Sequence, residues 1–335
     1  MLFFQVDNAF MSENWQQQLT KCIKSKGDLQ KQFQTTDAVS LFSEQASQQF
    51  RLKIPVSFLN EKTTTASDPL LLQVMPRQEE TLAVDGFKID PVGDISAMAT
   101  PGLIHKYKNR ALFIVTGACA IHCRYCFRRH FPYSDAQINN ENWEPAFQYL
   151  REHKEITEII LSGGDPLMIS DEKLTHLVNR LEQIQHLRRL RIHSRIPSVL
   201  PERINNHFIE LLQNSRFNVS LVTHINHPNE INENNQTIFK MLQTTSIQLL
   251  NQSVLLSGVN NNANILIDLS EKLYETGVLP YYLHLLDPVQ GAAHFYVKEA
   301  DAKLFMDEMT NSLPGYLVPK LVKEISGEQA KTRIL

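Results

Sequence analysis

Three of the chain's four cysteines fall in one short run, Cys119-Ala-Ile-His-Cys123-Arg-Tyr-Cys126. Thiolates are the usual ligands of iron–sulfur clusters, and three on a tight loop can hold three irons of a four-iron cluster while leaving the fourth open to a small molecule. A structural zinc site is the plain alternative, with His122, His130 or Cys22 as the fourth ligand. Zinc sites, however, build on paired Cys-x2-Cys or His-x3-His elements, and no second pair occurs in the sequence. A closed electron-transfer cluster completed by Cys22 is a further alternative. A second run, Ser162-Gly163-Gly164-Asp165-Pro166, carries glycines that let backbone approach a ligand closely, although alone it reads as an ordinary turn. Lys320, Lys323 and Lys331 cluster near the end of the chain, where a lysine is normally a solvated charge.

The elements that must position these residues follow from periodicity. Strand-like apolar runs at Ala111–Thr116, Ile156–Leu161, Leu187–His193, Phe217–Thr223, Ile247–Leu250 and Leu279–Leu285 alternate with helix-length amphipathic segments. The helices are expected at Glu141–Glu152, Asp171–Ile184, Pro201–Asn214, Asn235–Thr244, Ile265–Thr276 and Lys298–Ser312. Repeated βα units imply an α/β fold with a parallel sheet and right-handed crossovers, either a whole or partial barrel or an open doubly wound sheet. In each case ligand groups sit after the strand C-termini, where the cysteine and Gly-Gly runs fall. Residues 1–100 read as a mainly helical N-terminal region, with Ser12 and Thr36 as N-caps and prolines at 55, 69, 76 and 91. The boundary falls near Pro101-Gly102, with 101–335 as the βα unit.

Composition narrows the partners. With 42% hydrophobic and 21% charged residues and a formal net charge of −3 over 335 residues, the chain gives no electrostatic case for nucleic acid or a membrane surface. Neither a secretory leader nor a bilayer-length apolar run is recognisable, so a cytoplasmic protein is expected.

The Cys-x3-Cys-x2-Cys spacing with an aromatic before the last cysteine resembles the radical S-adenosylmethionine superfamily. The resemblance implies a partial (β/α)6 barrel, a [4Fe-4S] cluster on Cys119, Cys123 and Cys126, and an external electron donor. It also implies S-adenosyl-L-methionine bound by Ser162, Gly163, Gly164 and Asp165, with His224, Asn251, Gln252 and Ser253 lining its pocket. Further stretches from His105 to Thr332 resemble the lysine 2,3-aminomutase family, which adds pyridoxal 5'-phosphate. They are His105-Lys106-Tyr107-Lys108-Asn109-Arg110, Cys126-Phe127-Arg128-Arg129, Ser194-Arg195-Ile196-Pro197, Thr223-His224, Asn251-Gln252-Ser253, Leu286-Asp287 and Gly315-Tyr316-Leu317-Val318-Pro319. By that resemblance Lys331, before Thr332, is the Schiff-base lysine; Lys106, Tyr107 and Arg110 bind the cofactor phosphate; Arg128 holds the carboxylate of L-lysine; and Asp287 and Glu324 hold its distal ammonium.

Glu324 stands where the family has aspartate, and the chain stops soon after Lys331, which leaves the oligomeric state open. This short form resembles the bacterial aminomutases that make (R)-β-lysine for elongation factor P. A radical aminomutase acting on another amino acid or on protein-attached lysine remains the alternative enzyme reading, and an iron–sulfur or zinc sensor the alternative outside catalysis.

Overall fold

The computed structural model describes residues 14–33, 37–59, 65–134 and 143–334. Ser12 and Thr36, expected as N-caps, lie outside them. The strands are β1 (Met98–Thr100), β2 (Leu103–Tyr107), β3 (Arg110–Thr116), β4 (Glu158–Gly163), β5 (Arg189–Ser194), β6 (Asn218–Thr223), β7 (Gln248–Val254), β8 (Leu279–His284), β9 (Lys320–Lys323) and β10 (Thr332–Arg333). They form one sheet in chain order. From β3 to β9 each strand pairs parallel with the next. The antiparallel strands β1 and β2 finish one edge and β10 the other. The expected βα units are present, and β9, which sequence periodicity passes over, adds one more parallel strand.

The crossovers are the helices Glu144–Glu152, Asp171–Glu182, Asn206–Gln213, Glu233–Gln243, Ala263–Glu275 and Glu299–Ser312. Local chemistry sets their starts: the Ser170, Asn205 and Asn262 side chains accept hydrogen bonds from Lys173, Phe208 and Asn264 backbone N–H groups. The expected helix at Pro201–Asn214 is instead a 3₁₀ turn, Pro201–Arg203, followed by the Asn205-capped helix. Asn205 accepts from the Phe208 backbone and so restarts the helical ladder after the break.

Along each strand side chains alternate, one set toward the helices and one toward the barrel interior. On β5 Leu190 and Ile192 are buried under the helical layer, while Arg191 and His193 point inward and line the central cavity. One continuous apolar cluster joins this layer to the N-terminal region, where Ile23, Leu29, Leu52, Ile54, Leu70 and Leu71 pack with barrel residues such as Phe113, Phe147 and Leu161. Full burial of such a side chain is worth about 1.5–3 kcal/mol. Among the described residues no helix is long and apolar enough to cross a membrane.

Candidate active site

A cavity of about 300 Å³ occupies the barrel interior. Cys119, Cys123 and Cys126 line it from the loop after β3, Ser162 to Asp165 from the end of β4, His224 from the loop after β6, and Asp287, Glu324 and Lys331 from the β8 and β9–β10 loops. Residues 212 positions apart, Cys119 and Lys331, thus share one chamber.

The Gly-Gly run has a second reason for its composition. A Cβ on Gly164 would lie 2.3 Å from the Ala118 carbonyl oxygen, and one on Gly163, whose φ is +129°, would lie 2.4 Å from that of Thr116. The Gly164 and Asp165 N–H groups donate to those same carbonyls at 2.7 and 2.8 Å. The glycines therefore seat the cysteine loop itself. The Asp165 carboxylate, fully enclosed, accepts from Ser194 Oγ at 2.8 Å, Arg195 N at 2.8 Å and Leu167 N at 3.0 Å, which ties the β4 and β5 loops together.

On the cysteine side, Arg195 Nη1 donates to Cys123 Sγ and to the Tyr125 hydroxyl, each at 2.7 Å, and its Nη2 donates to Gln73 Oε1 at 2.7 Å. His224 stacks on Tyr125 with its Nε2 2.9 Å from the hydroxyl. Burial and the neighbouring sulfur of Cys123 push the Cys126 thiol up to about 11, and burial raises Cys119 well above the ordinary range. Thiols so placed need a bound cation to become thiolates. Among the described residues no three His, Cys, Asp or Glu side chains close on a single metal ion. A four-iron cluster differs, because each thiolate binds its own iron.

On the lysine side an alternating chain of charges runs through the site. Arg128 Nε donates to Asp94 at 2.6 Å, Lys106 Nζ sits 2.5 Å from Asp94 and 2.9 Å from Glu324, and Lys331 Nζ donates to Glu324 at 2.6 Å. Lys106 follows Ile104 and His105 on β2 and Glu324 follows β9, so these ion pairs bridge the two sheet edges that no backbone ladder joins. The cations beside it hold the Asp94 carboxyl below its ordinary range against the effect of burial, and Lys331 and Lys106 take Glu324 down to about 2. Asp287, half-buried in the cavity wall near the Glu324 carboxylate, is pushed up to about 7, mainly by desolvation in the pocket.

Most of the expected site residues meet in this chamber, with two corrections. Lys106 was expected to bind phosphate, but its three N–H donors go to Asp94, Glu324 and the Val92 carbonyl at 2.8 Å, so none is left for a phosphate in this arrangement. Tyr107 and Arg110 do line the cavity, with the guanidinium 4.3 Å over the phenol ring. Ser253 was expected in the S-adenosylmethionine pocket, and so was Asn251. Both lie on the outward face of β7, while Gln252 and Val254 face the cavity. Ser253 Oγ donates to the Ile225 carbonyl at 2.9 Å, and Asn251 Oδ1 accepts from Ile225 N at 2.9 Å, so both serve the β6–β7 junction. Sequence reading missed Asp94, the shared counter-ion of Arg128 and Lys106, and the place of Arg195 and Tyr125 beside Cys123. The only available signals were the Asp94 position between Pro91 and Pro101 and the Arg195 place in the Ser-Arg-Ile-Pro stretch.

The family model described as "Radical SAM superfamily" matches residues 113–242, the stretch that carries the cysteine loop and the β4 and β5 loops. Membership of that class implies a [4Fe-4S] cluster, S-adenosylmethionine and an electron donor. A structure of Streptococcus suis SuiB bound to S-adenosylmethionine shares the fold, with a TM-score of 0.50 and 13% identity over 69% of this chain and 53% of that one. The L-lysine 2,3-aminomutase of Haemophilus influenzae is 49% identical over 84% of this chain and 84% of its own length. That of Escherichia coli is 45% identical over 97% of this chain and 95% of its own, and that of Clostridium subterminale 32% identical over 100% and 80%. The chain belongs to the lysine 2,3-aminomutase family.

Proposed function

We propose that this chain is a radical S-adenosylmethionine, pyridoxal phosphate-dependent isomerase that converts L-α-lysine into (R)-β-lysine. The observation that carries the reading is the meeting of Lys331 and the three cysteine thiols in one chamber. Cys119, Cys123 and Cys126 would hold the cluster, and the backbone of Ser162 to Gly164 with His224 and Gln252 would border S-adenosylmethionine. Lys331, Tyr107 and Arg110 would hold pyridoxal phosphate. The donor set suits both groups: thiols around an open site, an amine in reach of the cavity, and an Arg110 guanidinium that makes no ion pair among the described residues. When bound, the cluster and S-adenosylmethionine supply a carbon radical and pyridoxal phosphate supplies the π-system across which nitrogen migrates.

The protein's own residues do the rest. Arg128 spends Nε on Asp94 and one Nη1 donor on Ser162, at 3.0 Å, which leaves donors for the substrate carboxylate. Asp287 and Glu324 present the carboxylates for the distal ammonium, each such charge-assisted contact being worth about 1.5–3 kcal/mol. Glu324 in place of aspartate supports assignment to the short bacterial form whose product is attached to elongation factor P.

The test is direct: anaerobic incubation of the cluster-reconstituted protein with L-lysine, S-adenosylmethionine, pyridoxal phosphate and a reductant should yield β-lysine, and Lys331→Ala should abolish it. A fully loaded protein that forms no β-lysine overturns the reading. Elongation factor P from cells lacking the chain should lose its β-lysyl mass; an unchanged mass removes that part alone.

A further inference from the structure

The inward face of β5 presents two polar side chains to the chamber, Arg191 and His193. Arg191 is satisfied by the protein, with its Nε donating to Glu158 at 2.6 Å. His193 is not: its Nε2 is buried and has no hydrogen-bond partner among the described residues. Buried polar atoms in folded proteins are almost always paired, and an orphan in the wall of a cavity points to a group that is paired only when a ligand is present.

The surroundings say which ligand. Besides burial, the charges with the largest effect on His193 come from Arg191, Lys331, Arg128 and His284. The imidazole of His224 belongs to the other side, against Tyr125 and Arg195. His193 therefore faces the groups around Lys331 and Arg128. Burial among these cations keeps the ring neutral, so it has one N–H donor and one acceptor to offer. The substrate's charged ends already have Arg128, Asp287 and Glu324 as counter-ions. An uncharged donor–acceptor ring suits instead the polar ring atoms of a heteroaromatic cofactor.

We propose that His193 is a positioning contact for pyridoxal phosphate, hydrogen-bonding the pyridoxal ring held at Lys331. This rests on the reading of Lys331 as the cofactor lysine.

The experiment titrates the cluster-reconstituted protein with pyridoxal phosphate, without S-adenosylmethionine or reductant, and follows the absorbance of the lysine-bound chromophore. S-adenosylmethionine affinity is measured in parallel. His193→Leu should weaken pyridoxal phosphate binding about tenfold, the scale of one hydrogen bond, and leave S-adenosylmethionine affinity within about twofold, while His193→Gln should recover most of the loss. An undiminished affinity in His193→Leu overturns the assignment, and so does an equal loss of S-adenosylmethionine binding, which would mark a structural role. The outcomes are separable from the underlying reading: if the wild-type protein shows no chromophore that Lys331→Ala removes, the cofactor lysine itself is wrong.

Discussion

Glu324 offers a quantitative test of the charge chain. Its carboxylate is 16% exposed and sits between Lys106 at 2.9 Å and Lys331 at 2.6 Å. These contacts hold it at about 2, against an ordinary 4.5. By linkage that difference corresponds to about 3 kcal/mol of folding stability at neutral pH. The folded value lies below the unfolded one, so the contribution is complete above the unfolded value of about 4.5 and disappears as pH falls through about 2. Asp287 complicates the middle of the range. Glu324 helps to raise Asp287 to about 7, so at pH 6 Asp287 is mostly neutral in the native chain and ionises more readily once the Glu324 charge is removed. In Glu324→Gln the Asp287 carboxylate then takes over part of the pairing with Lys331. Anaerobic urea denaturation should show the variant less stable by about 3 kcal/mol at pH 5, where Asp287 is neutral in the native chain and Glu324 is ionised. The gap should be smaller at pH 8, where the variant is relieved of repulsion between two ionised carboxylates, and should narrow again below pH 4. Equal midpoints at pH 5, or a gap unchanged at low pH, would refute the assignment of the stability to this ion pair.

The same residues make predictions about turnover. Asp287 must be ionised to hold an ammonium group, so kcat/KM for lysine should fall as pH drops below about 7, and Asp287→Asn should raise KM and erase that limb of the profile. Gly164→Ala places a Cβ 2.3 Å from the Ala118 carbonyl, so iron content per chain should fall sharply after reconstitution while the far-ultraviolet circular dichroism of the barrel persists; full iron loading would show that the cysteine loop does not depend on this contact. Gln252 and Ser253 separate the two faces of β7: Gln252→Ala should weaken S-adenosylmethionine binding, measured by calorimetry, whereas Ser253→Ala should leave it unchanged and cost about 1 kcal/mol of stability through the lost bond to Ile225.

What could be read from the sequence divides along physical lines. The parallel strands are apolar runs broken by amphipathic helices, and that pattern is local, so the βα order and the cysteine loop's place after β3 follow from it. Strand β9 escapes the same reading because Lys320-Leu321-Val322-Lys323 is short and has lysines at both ends. Its strand character comes from pairing with β8, a tertiary fact. Ser253 illustrates a different limit. A motif places Asn251, Gln252 and Ser253 together, but a strand sends neighbours to opposite faces, so only Gln252 of the three reaches the cavity. The parity was available in the sequence once β7 was known to extend to Val254, and the polar Asn251 and Ser253 hid that extension by interrupting the apolar run.

Asp94 marks the deeper limit. Between prolines, an acidic residue reads as a turn former, and nothing in its neighbourhood distinguishes it from Asp90, whose carboxylate does cap the Asp94 and Ile95 N–H groups. Its partners come from different elements, Arg128 from the cysteine loop and Lys106 from β2, and Glu324 joins only when the end of β9 swings round to β2. The barrel is open in its hydrogen bonds and closed by Arg128, Asp94, Lys106, Glu324 and Lys331. Those charges include the groups proposed to grip lysine and the cofactor. Edge closure and ligand binding therefore draw on the same carboxylates, and a ligand ammonium entering beside Glu324 must compete with Lys331. On the proposed function, pyridoxal phosphate held at Lys331 would take its ammonium out of the pairing with Glu324, which would free Glu324 for the substrate and make cofactor binding favour lysine binding in turn.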